Sequence, residues 1–277
     1  MTSPQATPDS ARVLDPTEFY YGGPTPFFAL QSDQRFSYCL YVPSAHRTSE
    51  TPLPLLVLMH GTQRTAERYR NDYREFAEEN DTIVLAPLFP AGIAQPGDLH
   101  GFKRLSFEGI RYDLILLDII AEVAARFRVD ADRFYLHGFS GGGQFAHRFA
   151  YLHADRLAAL SIGAPGRVTR IDPDVPWWLG TADVRELFGT DVQVESLRKL
   201  PVQMIVGGED KDTWEIAEPG IDAGGDTRIE RLTTLRKNFE SNGIDVQFDV
   251  VPGVAHRGLM IQPVVKAFIA GELARRP

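Results

Sequence analysis

The stretch Tyr135-Leu136-His137-Gly138-Phe139-Ser140-Gly141-Gly142-Gly143 decides how this chain folds. A strand-like run at 133–136 leads into it, and a helix-compatible segment at 144–150 leads out. Between them Gly138, Ser140 and Gly142 form a G-x-S-x-G pattern. In a strand–turn–helix setting that pattern puts a serine on a sharp turn with its hydroxyl exposed. Glycines suit the flanking positions because backbones crowd there too closely for a Cβ, and the serine itself must accept unusual dihedrals. Ser140 is therefore a candidate nucleophile. A serine hydroxyl reacts poorly near neutral pH unless a base sits within hydrogen-bond reach.

The rest of the chain offers that base and a partner for it. The run 202–206 is short and apolar and ends in Gly207-Gly208-Glu209-Asp210, so an acid follows a buried strand. Residues 246–251 alternate like a strand and run into Pro252-Gly253-Val254-Ala255-His256. The chain order Ser140, Asp210, His256 is that of α/β-hydrolases and not that of chymotrypsin or subtilisin. An imidazole, ordinarily titrating near pH 6.5, can take a serine proton and return it to a leaving group. A carboxylate can hold that imidazole in the right tautomer. Glu209 and Asp212 crowd the same loop as Asp210, and Asp212 stays open as an alternative acid or a loop-bracing residue. Upstream, 53–59 reads as another buried strand closed by His60-Gly61-Thr62, a turn placed to supply a second oxyanion donor. His60 is expected to brace that turn and His137 to lie in the core. His147 and His153 fall on the helix after Ser140, His46 and His100 in loops. No H-x-x-x-H or H-E-x-x-H spacing occurs, so neither a metal nor a cofactor is expected.

The His60-Gly61-Thr62-Gln63 turn and the Gly138-Phe139-Ser140-Gly141-Gly142 elbow resemble those of the α/β-hydrolase superfamily. The likeness is greatest to the branch with polyhydroxybutyrate-depolymerase-like and feruloyl-esterase-like proteins, and it covers about residues 35–275. It implies an α/β fold: a mostly parallel twisted sheet with helices on both faces and a small cap insertion. It also implies that the acid stands three residues after the glycine closing its strand, which from Gly207 selects Asp210. The oxyanion donors would be the backbone N–H groups of Gly141 and Thr62, with Gln63 as runner-up and Thr62 Oγ1 as a third contact.

Composition sets bounds. The 277 residues suit one large α/β domain, and 43% hydrophobic residues suffice for its core. A formal net charge of −8 disfavours nucleic acid as a partner, since phosphate binding needs a basic face. Cys39 is the sole cysteine, so no internal disulfide forms, and the thiol reads as a buried, inert one. The first ten residues lack a basic and then apolar signal pattern, and no apolar run approaches a membrane span. The expectation is a cytoplasmic enzyme with no membrane partner; its oligomeric state is left open.

Along the chain, 1–15 reads as a mobile tail preceding a single domain over 16–277. Residues 27–30 and 36–42 suggest a hairpin. Residues 65–80 suggest a helix with Tyr69, Tyr73 and Phe76 inward, 82–87 a strand, 91–106 a loop and 110–128 the strongest helix. Residues 157–162 give the strand after the elbow helix. The segment 163–200 exceeds what a simple connection needs. It carries Trp177, Trp178 and Phe188, too aromatic for a solvated loop, and is read as a cap with at least one of these rings facing the substrate pocket. Packing of the tryptophans onto the sheet is the competing reading.

The expected chemistry is acyl transfer from a small carboxylic ester to water through an acyl-enzyme on Ser140. Amides, lactones and thioesters, or transfer to an alcohol, use the same groups. A non-catalytic binding protein on this fold has no use for an activated serine.

Overall fold

A computed structural model describes residues 21–217, 221 and 224–276. The expected tail at 1–15 lies outside them. Eleven strands occur among the described residues: β1 (Gly23–Pro24), β2 (Phe28–Ala29), β3 (Ser37–Val42), β4 (Leu55–Met59), β5 (Ile83–Leu88), β6 (Ser106–Phe107), β7 (Ile110–Arg111), β8 (Phe134–Phe139), β9 (Leu157–Gly163), β10 (Val202–Gly207) and β11 (Val246–Val251). The helices are α1 (Ala66–Asp72), α2 (Arg74–Glu79), α3 (Tyr112–Arg126), α4 (Gly141–His153), α5 (Val184–Phe188), α6 (Val194–Leu197), α7 (Arg228–Ser241) and α8 (Gly258–Leu273).

Nine strands form one sheet in the order β1-β3-β5-β4-β8-β9-β10-β11, with β2 added to β3. From β5 to β11 neighbouring strands are parallel, and β3 joins β5 antiparallel. The central strands β4, β8 and β10 are buried along their whole length, as parallel strands covered on both faces must be. The edge strand β11 alternates between half-buried and exposed residues. Chain order sends β4 to β5 on one side and β8 to the other, so the carboxyl ends of β4 and β8 flank a topological switch point. Crevices at such points are where open α/β sheets bind ligands.

The hairpin expected at 27–42 is present, with Phe28 opposite Tyr38 and Ala29 opposite Ser37. The single helix expected over 65–80 divides at Tyr73, which is fully buried and whose hydroxyl donates to Gln262 Oε1 of α8. The loop expected at 91–106 contains a 3-10 turn, Gly101–Arg104, and the strand β6. It folds inward because Phe102 packs against His60, Phe89 and Phe145, with ring centroids 5.0, 6.2 and 6.4 Å away. Cys39 is buried, and burial pushes its thiol up to about 11.

His60, His137 and His147 are fully buried. Burial, the largest cause, holds His60 and His137 down to about 4 and His147 well below the ordinary range. They are neutral in the fold yet protonate in the unfolded chain near pH 6.5, so the unfolded state binds more protons below that pH. Their stabilisation is present above pH 6.5 and is lost as pH falls toward 4. Each should contribute a slope of about 1.4 kcal/mol per pH unit in that window. Urea denaturation between pH 7 and 4.5 measures it; a flat profile would mean these imidazoles are not held neutral.

Candidate active site

Strand register brings the three sequence-distant residues to one edge. Met59 of β4 pairs with Gly138 of β8, so the turn after Met59 and the serine two residues after Gly138 emerge side by side. Gly207 of β10 pairs with Val251 of β11, placing the loops that carry Asp210 and His256 together. Gly208 N–H donates to Val251 O and Glu209 N–H to Val254 O, both at 2.8 Å, which zips these loops to each other.

Ser140 has φ 57° and ψ −114°, the strained turn the motif implies. Its N–H donates to Gly163 O at 2.8 Å, tying the turn to β9. A Cβ on Gly142 would lie 2.2 Å from Met59 O, and one on Gly138 would lie 2.2 Å from Gly142 O. Only glycine lets α4 start this close to β4.

His256 Nε2 is 3.0 Å from Ser140 Oγ, and His256 Nδ1 is 2.6 Å from Asp210 Oδ2. An ionised Asp210 accepts the Nδ1 proton, which leaves Nε2 free to accept from the serine hydroxyl. Phe139 stacks on the imidazole at 4.7 Å and 28°, fixing its plane. Asp210 is buried; Asp212 and Glu209 are exposed, and Glu209 pairs with Lys211 at 2.9 Å. Of the three acids in the loop, Asp210 is the one that meets the histidine.

The turn after β4 is held from behind. His60 Nε2 accepts from Phe89 N–H at 3.0 Å, so Nδ1 carries the proton and donates to Gly61 O at 2.8 Å. Arg64 N–H also donates to Gly61 O at 3.1 Å. In a trans peptide C=O and N–H point opposite ways, so fastening Gly61 O aims Thr62 N–H away from the core. Arg64 Nη1 donates to Thr62 O at 2.5 Å. Gly141 is the first residue of α4, where an amide has no partner within the helix. A Cβ there would lie 3.0 Å from Thr62 N and 3.1 Å from Thr62 Oγ1. Gly141 thus stands against Thr62 with little room for a side chain, and both Thr62 and Gln63 line the adjoining cavity. Two such donors can stabilise a developing oxyanion.

That cavity, about 500 Å³, is bordered by Ser140, His256, Phe139, Tyr69, Leu259 and Met260, with Arg68, Glu215 and Arg257 among its polar lining. Trp177 and Phe188 do not reach it. They pack on each other at 5.0 Å, Trp177 Nε1 donates to Arg104 O, and Phe188 is buried under Arg111. Trp178 lines a separate, smaller cavity beside Arg104 and Arg148. No described residue of 163–200 borders the Ser140 cavity. Trp177 and Phe188 find apolar partners in each other and in the core, and Trp178 lies under the Arg104 and Arg148 guanidinium groups.

Sequence reading missed Arg228. It is buried at the start of α7, with Nη1 3.3 Å from Asp210 Oδ1 and Nη2 2.5 Å from Glu215 Oε2. The capping box of Thr227 and Glu230 marks that helix start. A first turn favours acids over bases, so an arginine there was the available sign of a carboxylate partner. Removing one partner of a buried pair costs about 3–5 kcal/mol. Arg228→Met should lose stability on that scale, as measured by denaturant unfolding; a loss below about 1 kcal/mol would assign Asp210's burial to His256 alone. Among the described residues no cluster of three or more His, Cys, Asp or Glu side chains suits a metal ion, and no helix is long and apolar enough to cross a membrane.

No protein-family model and no curated protein sequence matches the chain. Solved structures do. LpqC, a poly(3-hydroxybutyrate) depolymerase from Bordetella parapertussis, superimposes with a TM-score of 0.74 at 22% identity over 94% of this chain and 96% of its own. Poly(aspartic acid) hydrolase-1 from Sphingomonas sp. KT-1 gives 0.67 at 19% over 84% and 92%. A ferulic acid esterase gives 0.59 at 14% over 90% and 97%. With the sheet order and the strained serine turn between β8 and α4, these likenesses establish that the chain has the α/β-hydrolase fold, in the form seen in depolymerase-like and ferulic-acid-esterase-like structures.

Proposed function

We propose that the chain is a serine hydrolase that cleaves a small carboxylic ester through an acyl-enzyme. The observation that carries this reading is the unbroken hydrogen-bond relay from Asp210 through His256 to Ser140, opening on a cavity of about 500 Å³. That volume falls in the range of small-molecule sites. Ser140 Oγ attacks the carbonyl carbon while its proton passes to His256 Nε2, and Asp210 stabilises the imidazolium. The carbonyl oxygen, now an oxyanion, accepts from Gly141 N–H and Thr62 N–H. Nε2 then protonates the departing alcohol. Water, deprotonated by the same nitrogen, attacks the acyl carbon and frees Ser140.

The names of the structurally similar depolymerase, hydrolase and esterase support the reaction class. The relay does not select among ester, amide, lactone and thioester, and added alcohol in a product assay would reveal acyl transfer. A cytoplasmic setting belongs to the same reading, supported by a lone, buried cysteine. A fluorophosphonate probe should form an adduct on Ser140, located by peptide mass spectrometry, and 4-nitrophenyl esters of graded chain length should be turned over. An unlabelled Ser140 together with no ester turnover sinks the proposal and would favour a ligand-binding role.

A further inference from the structure

Beside the serine turn lies a second cavity of about 140 Å³, lined by His100, Lys103, Arg104, Gln144, Arg148, Arg167 and Trp178. No carboxylate lines it among the described residues. Two of its cations are withdrawn from solvent, while Arg104 and Arg167 are half-buried. Arg148 is completely buried on α4, and Lys103 is only 5% exposed. Arg148 Nε donates to Thr169 Oγ1 at 2.7 Å and Nη1 to Lys103 O at 2.5 Å, while the guanidinium lies 5.5 Å from the Trp178 ring. Its remaining nitrogen, Nη2, is buried with no hydrogen-bond partner. The Arg104 guanidinium sits over the same ring at 5.2 Å. Lys103 Nζ meets His100 Nδ1 at 2.7 Å.

Burying Arg148 and Lys103 beside a cavity that no carboxylate lines among the described residues is costly. Lys103 registers the cost: burial first, then Arg64, Arg167 and Arg148, pull its ammonium down to about 7, with Glu215 opposing weakly. An oxyanion in the cavity would reverse that pull and satisfy Arg148 Nη2 by charge-assisted hydrogen bonds.

Position ties the cavity to the reaction. Lys103 Cε lies 2.9 Å from where a Gly141 Cβ would stand, the same point that is 3.0 Å from Thr62 N. Lys103 thus borders both the proposed oxyanion amides and the cationic cavity. Gln144 and Arg148 lie one and two turns beyond Ser140 on α4, roughly 6 and 12 Å along its axis, with side chains leaning back toward the serine.

We propose that this cavity is a subsite for a carboxylate carried by the substrate, so that the enzyme acts on esters whose acyl portion bears a second, ionised acid group a few carbons from the scissile carbonyl. The subsite rests on the serine-hydrolase reading for its place in the reaction, but its binding does not. Lys103, which stands beside Gly141 and lines the cavity, is the link between the reacting end and the acid-binding end of such a substrate.

Two measurements test it. The first is the ratio of kcat/KM for 4-nitrophenyl hydrogen glutarate to that for 4-nitrophenyl pentanoate, in low-salt buffer. The wild-type ratio should be at least about 10, equivalent to about 1.4 kcal/mol, and should fall at least fivefold in both Arg104→Ala and Lys103→Met. The second is calorimetric titration of glutarate into the wild-type protein and Arg104→Ala, where binding should weaken in the variant. A wild-type ratio of 1 or below, or a ratio unchanged in both variants, overturns the subsite while leaving the hydrolase reading intact. Absence of all ester turnover defeats the hydrolase reading, and the titration then decides the subsite: glutarate binding that Arg104→Ala weakens supports it, and no binding overturns it.

Discussion

Replacing Ser140 by alanine is expected to lower kcat for a 4-nitrophenyl ester by about 10⁴-fold or more, since in the proposed mechanism the acyl bond forms on its hydroxyl. The fold should survive. The turn's shape is set by Gly138 and Gly142 against backbone carbonyls, and by the Ser140 N–H to Gly163 O bond, none of which uses the hydroxyl. The melting temperature should therefore move by no more than about 2 °C, a small fraction of a domain's stability. Residual activity above a few per cent, in protein shown by mass spectrometry to be free of wild type, would remove Ser140 from the chemistry.

Asp210→Asn should lower kcat by about 10⁴-fold, whereas Asp212→Asn should stay within about threefold. The amide can present its NH₂ to His256 Nδ1, favouring the tautomer with the proton on Nε2, where it cannot accept from Ser140. The same change leaves Arg228 facing a neutral group at 3.3 Å, so some stability is lost as well. Comparable losses in the two variants would show that the Asp210–His256 contact is not what orients the base. Stopped-flow measurement of acylation separates this effect from product release.

Much of the candidate site is legible in the sequence. Gly138-Phe139-Ser140-Gly141-Gly142 states a local requirement: residues that tolerate crowding and a positive φ around one hydroxyl. Such steric demands act between chain neighbours, so they are written into adjacent letters. Apolar runs of strand length, each followed by a turn carrying Thr62, Asp210 or His256, likewise declare which chain segments end at the same edge of the sheet. The family resemblance points to Asp210 and not Asp212; in the structure Asp210 is buried with Oδ2 2.6 Å from His256 Nδ1.

Other features needed the tertiary structure, because they depend on which distant surfaces meet. Trp177 and Phe188 are legible as packed aromatics, but nothing in their spacing says whether a ring packs on a substrate pocket or on another ring. Lys103 and Arg104 lie in a segment whose glycines and prolines suggest a solvated loop; Phe102 draws that segment inward against Phe89 and Phe145. Arg148 looks like any helix arginine until α4 proves to be buried along nearly all its length. Arg228, the partner of Asp210, lies 18 residues away on another element. The sequence alone determined the chemistry one turn can support, since that follows from local sterics and residue type. Tertiary structure decided which charges lie beside that turn, since the energy of a buried cation depends on neighbours supplied by other parts of the chain.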